Sequence, residues 1–415
     1  MNDRWSDTLS GTMGDSIKDA TDMLCFSHLR WGFVFQRPQH LMSRFARHRR
    51  VFFIEEPEFK NVPEARMSTQ VCAKTGVVIA TPHLPEKNRN ADVSDTLEEL
   101  LRHFRETQTI TRYIAWFYTP MALEFAREIS PDVTVYDCMD ELSLFRGAPP
   151  RICEVEQQLF NRADLVFTGG ASLFESKRSR HHCVYAFPSG VDVAHFRQAR
   201  CVTEPYSEHN HIPRPRLGYA GVIDERMDLD LIGHLAEQRP QWQIVMLGPV
   251  VKIDPASLPR RDNLHWIGIK DYSELPKYFA GWDVGLLPFA LNDSTRFISP
   301  TKTPEYLAAG LPVVSTPIRD VVKPYEALGL ARIARDADEF VTACERAMTY
   351  GMSMKWRSRA DAFLETLSWD DTWNSMNRLV EKAMSASMRR PNAMAAGRSM
   401  GESFSRFDTA TSKAS

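Results

Sequence analysis

The chain has 415 residues, a formal net charge of −2 and 25% charged residues. This length predicts two domains, each large enough for its own core. The near-neutral charge argues against a protein that binds nucleic acid mainly through phosphate contacts. The seven cysteines include no C-x-x-C pair, so neither a zinc site nor a disulfide framework is expected, and the thiols are typical of a cytoplasmic protein.

The two ends of the chain are polar and aperiodic. Residues 1–21 contain no apolar core of the kind found in a secretory signal, and residues 388–415 are rich in small and polar side chains. Both ends are predicted to be disordered, because they cannot bury enough apolar surface to offset the entropy of ordering. Nowhere does the sequence contain the run of about 20 apolar residues that crosses a bilayer.

Short apolar runs alternate with helix-period segments along the first half of the chain. This alternation is typical of a parallel sheet covered by helices on both faces. It assigns residues 22–200 to a first α/β domain. The predicted strands are 23–28, 51–55, 77–80, 113–117, 133–137, 165–168 and 183–187, and the predicted helices include 36–48, 96–106, 121–129 and 151–162.

A polar, proline-containing segment then interrupts the alternation, and residues 201–214 are predicted to be a linker. The pattern restarts in a second α/β domain over residues 215–387. Two doubly wound parallel sheets are expected to face each other across a cleft that holds a ligand at the carboxyl ends of the strands. The predicted strands are 217–221, 242–248, 264–268, 283–289 and 312–316, with helices near 228–238, 273–280, 304–309 and 336–349.

The segment LGYAGVIDERMDLDL (217–231) reads as a strand, a glycine-containing loop and a helix. Gly221 would let the backbone approach a ligand closely, and the helix offers free N–H groups to a phosphate. Arg226 could pair with diphosphate oxygens, although an ordinary turn with a surface arginine remains open. Asp228 and Asp230 are interpreted as helix-start acids rather than as metal ligands.

The segment SPTKTPEYLAAGLPVVST (299–316) carries the most informative pattern. Thr303 is predicted to cap a helix that Gly310 ends. The fold does not require Lys302 just ahead of this helix, and it requires Glu305 only as a first-turn acid. A cation, a hydroxyl and a carboxylate together suit a sugar nucleotide, with Lys302 at the diphosphate and Glu305 at the ribose.

These motifs resemble the GT-B glycosyltransferases, specifically the retaining family 4 and its bacterial exopolysaccharide and teichuronic-acid-type members. The resemblance covers about residues 22–385 and includes HLRWGFVFQRPQHL (28–41), VYDCMDELSLF (135–145) and SWDDTW (368–373). It implies two Rossmann-like domains, the first binding the acceptor and the second the nucleotide sugar. It also implies a final helix at about 369–384 that crosses back to the first domain.

The resemblance further implies transfer of a hexosyl unit from a nucleoside-diphosphate sugar, with a UDP-sugar favoured, to a glycan or polyprenyl-diphosphate-linked acceptor. Retention of configuration is implied, and neither a metal nor another cofactor is expected. The catalytic candidates are Arg226, Lys302 and Asp140, the last as a positioning group unless it only caps a turn. The donor-side candidates are Gly221, Ile267, Gly268, Tyr272, Leu275, Ser299, Thr301, Thr303 and Glu305, and the acceptor-side candidates are His28, Arg30, Trp31, Gly32 and Asp137.

Two positions depart from the pattern of this family. Phe297 stands where the first glutamate of the E-x7-E motif would fall, and Val222 replaces the arginine that usually follows the loop glycine. Lys302 and Arg226 are therefore expected to carry more of the diphosphate charge. A sugar-nucleotide epimerase or hydrolase on the same fold, and a non-catalytic nucleotide-sugar-binding subunit, are the alternative functions.

The basic run RFARHRR (44–50) allows two interpretations. Such a run is usually a solvated helix face. It could also dock on an anionic membrane surface, which would make the protein cytoplasmic and peripheral at the inner face of the cell membrane.

Overall fold

The computed structural model describes residues 21–202, 211–349 and 353–389. Within these ranges the chain forms two sheets of mainly parallel strands, with helices between the strands. The predicted tails, except for their innermost positions, and most of the predicted linker lie outside the described residues. Across the same ranges, no helix combines the length and apolar character that a membrane crossing requires.

The first sheet is built from β1 (Asp22–Ser27), β2 (Val51–Glu55), β3 (Glu58–Lys60), β4 (Arg66–Val71), β5 (Val78–Pro85), β6 (Tyr113–Phe117), β7 (Val133–Cys138), β8 (Leu165–Thr168) and β9 (Val184–Ala186). The strand order is β3-β5-β2-β1-β6-β7-β8-β9, and β4 pairs antiparallel with β5 at one edge. Strands β1, β2 and β6 are buried at every position, as expected for a sheet that is covered on both faces.

The second sheet is built from β10 (Arg216–Ala220), β11 (Gln243–Leu247), β12 (Leu264–Gly268), β13 (Val284–Leu287), β14 (Val313–Ser315) and β15 (Ala331–Ile333). Its order, β12-β11-β10-β13-β14-β15, reverses direction between β10 and β13. Counted within the sheet this is the order 3-2-1-4-5-6 of a Rossmann domain, in which ligands bind beyond the carboxyl ends of the strands near the reversal. The predicted α/β arrangement is confirmed.

The helices of the first domain are α1 (Arg37–Phe45), α2 (Ser94–Thr107), α3 (Ile152–Arg162) and α4 (Ala171–Lys177). The next helix, α5 (Val193–Arg197), packs on the core of the second domain through Phe196. Those that follow are α6 (Leu229–Gln238), α7 (Leu275–Ala280), α8 (Lys302–Ala309), α9 (Arg319–Val321), α10 (Ala337–Thr349), α11 (Met354–Leu364) and α12 (Trp369–Met388). Asp228 caps α6 by accepting the Leu231 N–H at 2.8 Å, which confirms the capping interpretation of that acid.

Some local predictions were wrong. The expected helix over 121–129 is a short 3-10 turn, Pro120–Glu124, that ends at Phe125. Strands β3, β4 and β15 were not predicted. Strand β4 is largely exposed and lacks the apolar alternation on which the prediction relied, because it pairs with only one neighbour at the sheet edge.

The last helix, α12, packs on the first domain. Its buried residues Trp369, Met376, Val380 and Met384 join the apolar core that lies against one face of the first sheet. The chain therefore leaves the second domain and returns to the first. Since α12 follows the second domain in sequence, this packing ties the two domains together.

Charge pairing accompanies this packing and uses most of the basic run 44–50. Arg44 pairs with Asp370 at 2.8 Å, and Arg49 pairs with Glu381 at 2.6 Å. His48 stacks on Trp373 of α12. The run is thus neither a fully solvated face nor a free basic patch, because several of its side chains attach α12 to α1.

Candidate active site

An open cavity of about 590 Å³ lies between the two domains. The second domain lines it with the carboxyl ends of β10 and β11, with residues 269–273 just after β12, and with Lys302. The first domain lines it with residues 31–35 and with residues 72–75, which form the tip of the hairpin between β4 and β5. The cavity lies where parallel-sheet topology predicts a ligand.

The start of α8 places a cation at this cavity and a carboxylate behind it, since Lys302 lines the cavity and Glu305 does not. Lys302 lines the cavity, and its Nζ donates to Glu305 Oε2 at 2.5 Å. Both side chains are largely buried. Burial raises the pKa of Glu305, and the charge of Lys302 opposes that rise. The pair is therefore formed before any ligand binds.

The helix starts earlier than predicted, and Thr303 does not cap it. The helix begins at Lys302 with Thr301 as the capping position, so Thr303 lies inside the first turn with its hydroxyl buried and without a partner among the described residues. Pro304 is tolerated there because the first N–H groups of a helix have no intrahelical acceptor. Gly310 ends the helix in a left-handed conformation, φ +86°, as predicted.

Two contacts attach α8 and the neighbouring strands to the glycine loop. The Tyr306 hydroxyl accepts the Ala220 N–H at 2.8 Å, directly before Gly221. Gly248 has φ +142°, and a Cβ atom there would lie 1.7 Å from the Gly221 carbonyl oxygen. Only glycine fits at position 248, so the cavity wall near Gly221 is closely packed backbone.

Arg226, which was predicted to pair with the diphosphate, pairs instead with a neighbouring carboxylate. Its guanidinium makes two hydrogen bonds with Asp224, at 2.9 Å and 2.7 Å, and lies 5.3 Å from the ring centroid of Phe145 in the first domain. It does not line the 590 Å³ cavity that Lys302 lines. The correction has a local cause, because the loop bends so that Asp224 accepts both the backbone and the side chain of Arg226.

Asp140 lies on the first-domain side of this contact. Burial raises its pKa to about 6, the charge of Arg226 lowers it, and the charge of Asp224 raises it again. Two of the three predicted catalytic residues, Asp140 and Arg226, therefore lie close enough to influence each other across the domain boundary.

Asp137, predicted on the acceptor side, has a structural role. Its carboxylate accepts from Arg37 Nη2 at 2.8 Å, and the two side chains are 0% and 1% exposed. Arg37 also donates to the Phe187 carbonyl oxygen at 2.7 Å. The buried pair leaves Asp137 unable to reach a substrate, so its assignment to the acceptor side was wrong.

The loop after β1 is held by a single carboxylate. Glu55 at the end of β2 accepts from Arg30 Nη1 at 3.0 Å and from the Trp31 N–H at 2.8 Å. Trp31 and Gly32 line the cavity, whereas Arg30 points to Glu55. Of these neighbouring candidates, Trp31 and Gly32 therefore line the cavity, and Arg30 supports the loop.

His28 precedes this loop and is neutral at pH 7. Burial and the charge of Lys252 lower its pKa to about 4, and a backbone hydrogen bond at Tyr118 opposes the shift. Its Nδ1 is buried and has no partner among the described residues. The ring can therefore offer a hydrogen bond at the domain interface without adding charge.

The segment predicted to hold the base reaches the cavity only with its later residues. The cavity is lined by residues 269–273 and Leu275, whereas Ile267 packs against the second-domain core and the Gly268 carbonyl accepts the Gly248 N–H at 2.9 Å. Tyr272 lines the cavity, but His195 stacks on its ring at 4.5 Å. The base contacts predicted for Ile267 and Gly268 stay a prediction.

Ser299 and Thr301 do not line the cavity. Ser299 lies beside Asp320, near the start of α4 in the first domain. Asp320 accepts the Ser172 N–H of α4 at 3.0 Å. Ser299 thus takes part in a domain contact, and the donor contacts predicted for Ser299 and Thr301 stay a prediction.

Two residues at the interface were missed. Lys74, at the tip of the β4–β5 hairpin, lines the cavity and forms no ion pair with any other described residue. Lys252 lies 5.3 Å from the Phe145 ring, which Arg226 also contacts. No sequence signal marks Lys74, because its position depends on the hairpin reaching across the cleft.

Phe297, at the position of the absent glutamate, packs against the core of the first domain. An apolar contact between domains thus replaces the carboxylate that the family pattern places there. This gives the departure a structural explanation, since the position contributes to the domain interface.

Comparison with known proteins agrees with this architecture. Residues 214–349 match the family model described as glycosyl transferases group 1. A Bacillus subtilis (strain 168) protein that carries the name teichuronic acid biosynthesis glycosyltransferase TuaH is 24% identical over 275 residues, which cover 62% of this chain and 69% of that protein.

Three solved structures share the fold at low sequence identity. The sucrose-phosphate synthase of Thermosynechococcus elongatus is 15% identical with a TM-score of 0.63, covering 88% of this chain and 100% of that one. An α,α-trehalose-phosphate synthase (UDP-forming) from Burkholderia xenovorans, in complex with glucose-6-phosphate, is 13% identical with a TM-score of 0.60, covering 87% and 100%. Anabaena Alr3699/HepE, in complex with UDP and glucose, is 11% identical with a TM-score of 0.59, also covering 87% and 100%.

The sequence family of residues 214–349 and the arrangement of the two Rossmann-like domains lead to the same assignment. The chain is a glycosyltransferase with the GT-B fold, and residues 214–349 are the part that matches the group 1 family model.

Proposed function

We propose that this enzyme moves a hexosyl unit from a nucleoside-diphosphate sugar, with UDP as the favoured carrier, to a hydroxyl of a glycan or polyprenyl-diphosphate-linked acceptor. The observation that carries the proposal is Lys302 at the wall of the interdomain cavity, paired with Glu305 directly behind it. The cation suits a diphosphate and the carboxylate suits ribose hydroxyls. The UDP bound to HepE supports the choice of base, and the name of TuaH supports a role in cell-surface polysaccharide synthesis.

Two lysines are proposed to share the diphosphate charge. Lys302 reaches the cavity from the second domain and Lys74 from the first. Arg226, held by Asp224, would act only through its longer-range field or after the loop rearranges. A donor that bridges Lys302 and Lys74 would also draw the two domains together.

The proposed chemistry is mainly electrostatic. The lysines stabilise the negative charge that grows on the leaving diphosphate as the sugar gains oxocarbenium character. Asp140 positions the acceptor hydroxyl, and the departing diphosphate takes part in accepting its proton. Retention of the anomeric configuration and activity without a metal belong to this proposal.

A binding panel tests the donor assignment. UDP, GDP, ADP and TDP are titrated against the full chain by calorimetry, and the UDP-sugars are then offered with acceptor lipid extracts. The proposal expects UDP to bind best and product to form in excess EDTA with the anomeric configuration of the donor. Turnover of the sugar nucleotide without an acceptor would instead indicate a hydrolase or epimerase, and binding with no turnover would indicate a non-catalytic subunit.

The pKa of Asp140 predicts the pH dependence of transfer. Burial raises this pKa to about 6, and the ionised form accepts a stronger hydrogen bond from the acceptor hydroxyl than the neutral acid does. We expect kcat/KM to rise as pH increases through about 6 and to level off above it. Asp140→Asn should lose this rise and lower kcat/KM by about tenfold or more.

The pH profiles of wild type and Asp140→Asn, measured with UDP affinity alongside, check this prediction. Asp262→Asn, a change at an exposed second-domain loop, is the matched control. An unchanged rise in the Asp140→Asn profile would contradict the positioning role.

We propose that the protein binds anionic membrane surfaces only weakly. Arg44 and Arg49 are paired with α12, so few free charges of the 44–50 run face solvent. We expect weak, salt-sensitive binding to vesicles that contain anionic lipid, measured by flotation. Tight binding that persists at high salt would contradict this expectation and indicate another membrane contact.

A further inference from the structure

Lys252, on the loop after β11, is an exposed cation on a strained turn. Its φ is +60°, a left-handed conformation that is uncommon for a residue with a side chain. The turn is held from the loop after β10, because the Val251 N–H donates to the Ile223 carbonyl oxygen at 3.0 Å. Lys252 forms no ion pair with another described residue. Strain of this kind persists where the surrounding structure enforces it, which is common at functional sites.

The first domain meets this lysine with the loop that follows β7, residues 140–146. Lys252 Nζ and the Arg226 guanidinium each lie 5.3 Å from the Phe145 ring centroid. A cation within about 6 Å of an aromatic ring centroid, over the face of the ring, is attracted to it. The next N–H along the loop donates to Glu225 at 3.1 Å. The second domain therefore holds this loop through two cations and one hydrogen bond.

Asp140, at the start of the same loop, faces charged groups from three other elements. Arg226 and Asp224 lie on the loop after β10, Arg37 lies at the start of α1, and Lys252 lies on the loop after β11. Asp224 opposes the effect of Arg226, because the two are joined by hydrogen bonds of 2.9 Å and 2.7 Å. Arg37 is already part of a buried ion pair. Among these described groups, Lys252 is therefore the cation without a counter-charge.

The charge of Lys252 acts on three groups of the first domain. Burial raises the pKa of Asp140 to about 6, and Lys252 is one of the cations that lower it. Burial and Lys252 both lower the pKa of His28, and burial raises the pKa of Glu56 against the charges of Arg30 and Lys252. The three groups follow the carboxyl ends of β7, β1 and β2. The ammonium group thus reaches the first domain where its strands end at the cleft.

We propose that Lys252 is a positioning residue for Asp140. Its ammonium group holds the loop 140–146 against the second domain through Phe145 and favours the negatively charged form of the Asp140 carboxyl group. The inference rests on the proposed function, in which Asp140 orients the acceptor hydroxyl. It adds that the charge of Asp140 depends on the domain contact, because the lysine and the carboxylate belong to different domains.

Lys252→Met removes the charge and keeps an apolar side chain of similar length. NMR of isotope-labelled aspartate carboxyls in the full chain, assigned with Asp140→Asn, follows the titration of Asp140. Its midpoint should rise by about 0.5 or more in pH, because a nearby cation favours the carboxylate. In transfer assays, the loss of kcat/KM should then be about twofold or more greater at pH 5.5 than at pH 8. Lys252→Arg keeps the charge and should retain the wild-type titration.

Lys355→Met removes the same charge from an exposed position of α11 and should leave the titration of Asp140 unchanged. An unshifted midpoint in Lys252→Met, an equal loss of kcat/KM at both pH values, or a shift that also occurs in Lys252→Arg would overturn the inference. Failure of the proposed function has another signature. Wild-type kcat/KM would then show no rise that matches the titration of Asp140, while the NMR midpoints would still decide whether Lys252 acts on this carboxyl group.

Discussion

Lys302→Ala is expected to weaken UDP binding by about 10- to 100-fold. A hydrogen bond that a charged group makes to a ligand contributes about 1.5–3 kcal/mol, which corresponds to that range of dissociation constants. The variant also leaves the Glu305 carboxylate without the partner that Nζ provides at 2.5 Å, so an uncompensated negative charge would face the phosphates. Calorimetric titration with UDP and with uridine measures the effect.

Comparing UDP with uridine tests whether Lys302 contacts the diphosphate. Uridine has no phosphate, so its affinity should change far less than that of UDP if Lys302 binds the diphosphate. Lys355→Ala, at an exposed position of α11, is the matched control. Glu305→Gln should weaken both ligands, because its proposed partners are ribose hydroxyls. Unchanged UDP affinity in Lys302→Ala and Glu305→Gln would remove the donor site from this cavity.

The second large effect concerns stability. Asp137→Ala is expected to lower the free energy of unfolding of the first domain by about 3–5 kcal/mol, because it leaves the buried Arg37 guanidinium without its counter-charge. Burying an unpaired charge is costly, and Arg37 is 1% exposed. Urea unfolding followed by tryptophan fluorescence measures the loss.

A surface pair of the same domain provides the control. Asp132 pairs with Arg112 at 3.2 Å in a partly exposed position, so Asp132→Ala should cost less than about 1 kcal/mol. The double variant Arg37→Met with Asp137→Leu should recover much of the stability that Asp137→Ala loses, since apolar replacement of a buried pair is often tolerated. Equal losses for Asp137→Ala and Asp132→Ala would show that the buried pair has no special structural role.

The α/β architecture could be predicted because its cause is local. The segments 51–55 and 113–117 are apolar at nearly every position, and such runs between helices are stable only in a sheet that is covered on both faces. Both segments are buried strands with the bounds that the sequence predicted. Strand β4 was not predicted, because an exposed edge strand needs no apolar pattern.

The candidate site could also be predicted only in part. Lys302 and Glu305 could be singled out because their helix does not require both side chains, which the sequence shows directly. The partners of charged side chains could not be identified. Asp137 is paired with Arg37, which is 100 residues away in sequence, and the Arg226 guanidinium folds back onto Asp224.

Two Rossmann-like domains and a helix start with a cation beside a carboxylate could be predicted from local patterns, because periodicity and capping depend on neighbouring residues. Which charges remain available to a ligand depends instead on how the chain folds. Charge pairing and burial depend on distances between segments far apart in the chain, so Lys74 became a cavity residue while Asp137 became part of the core.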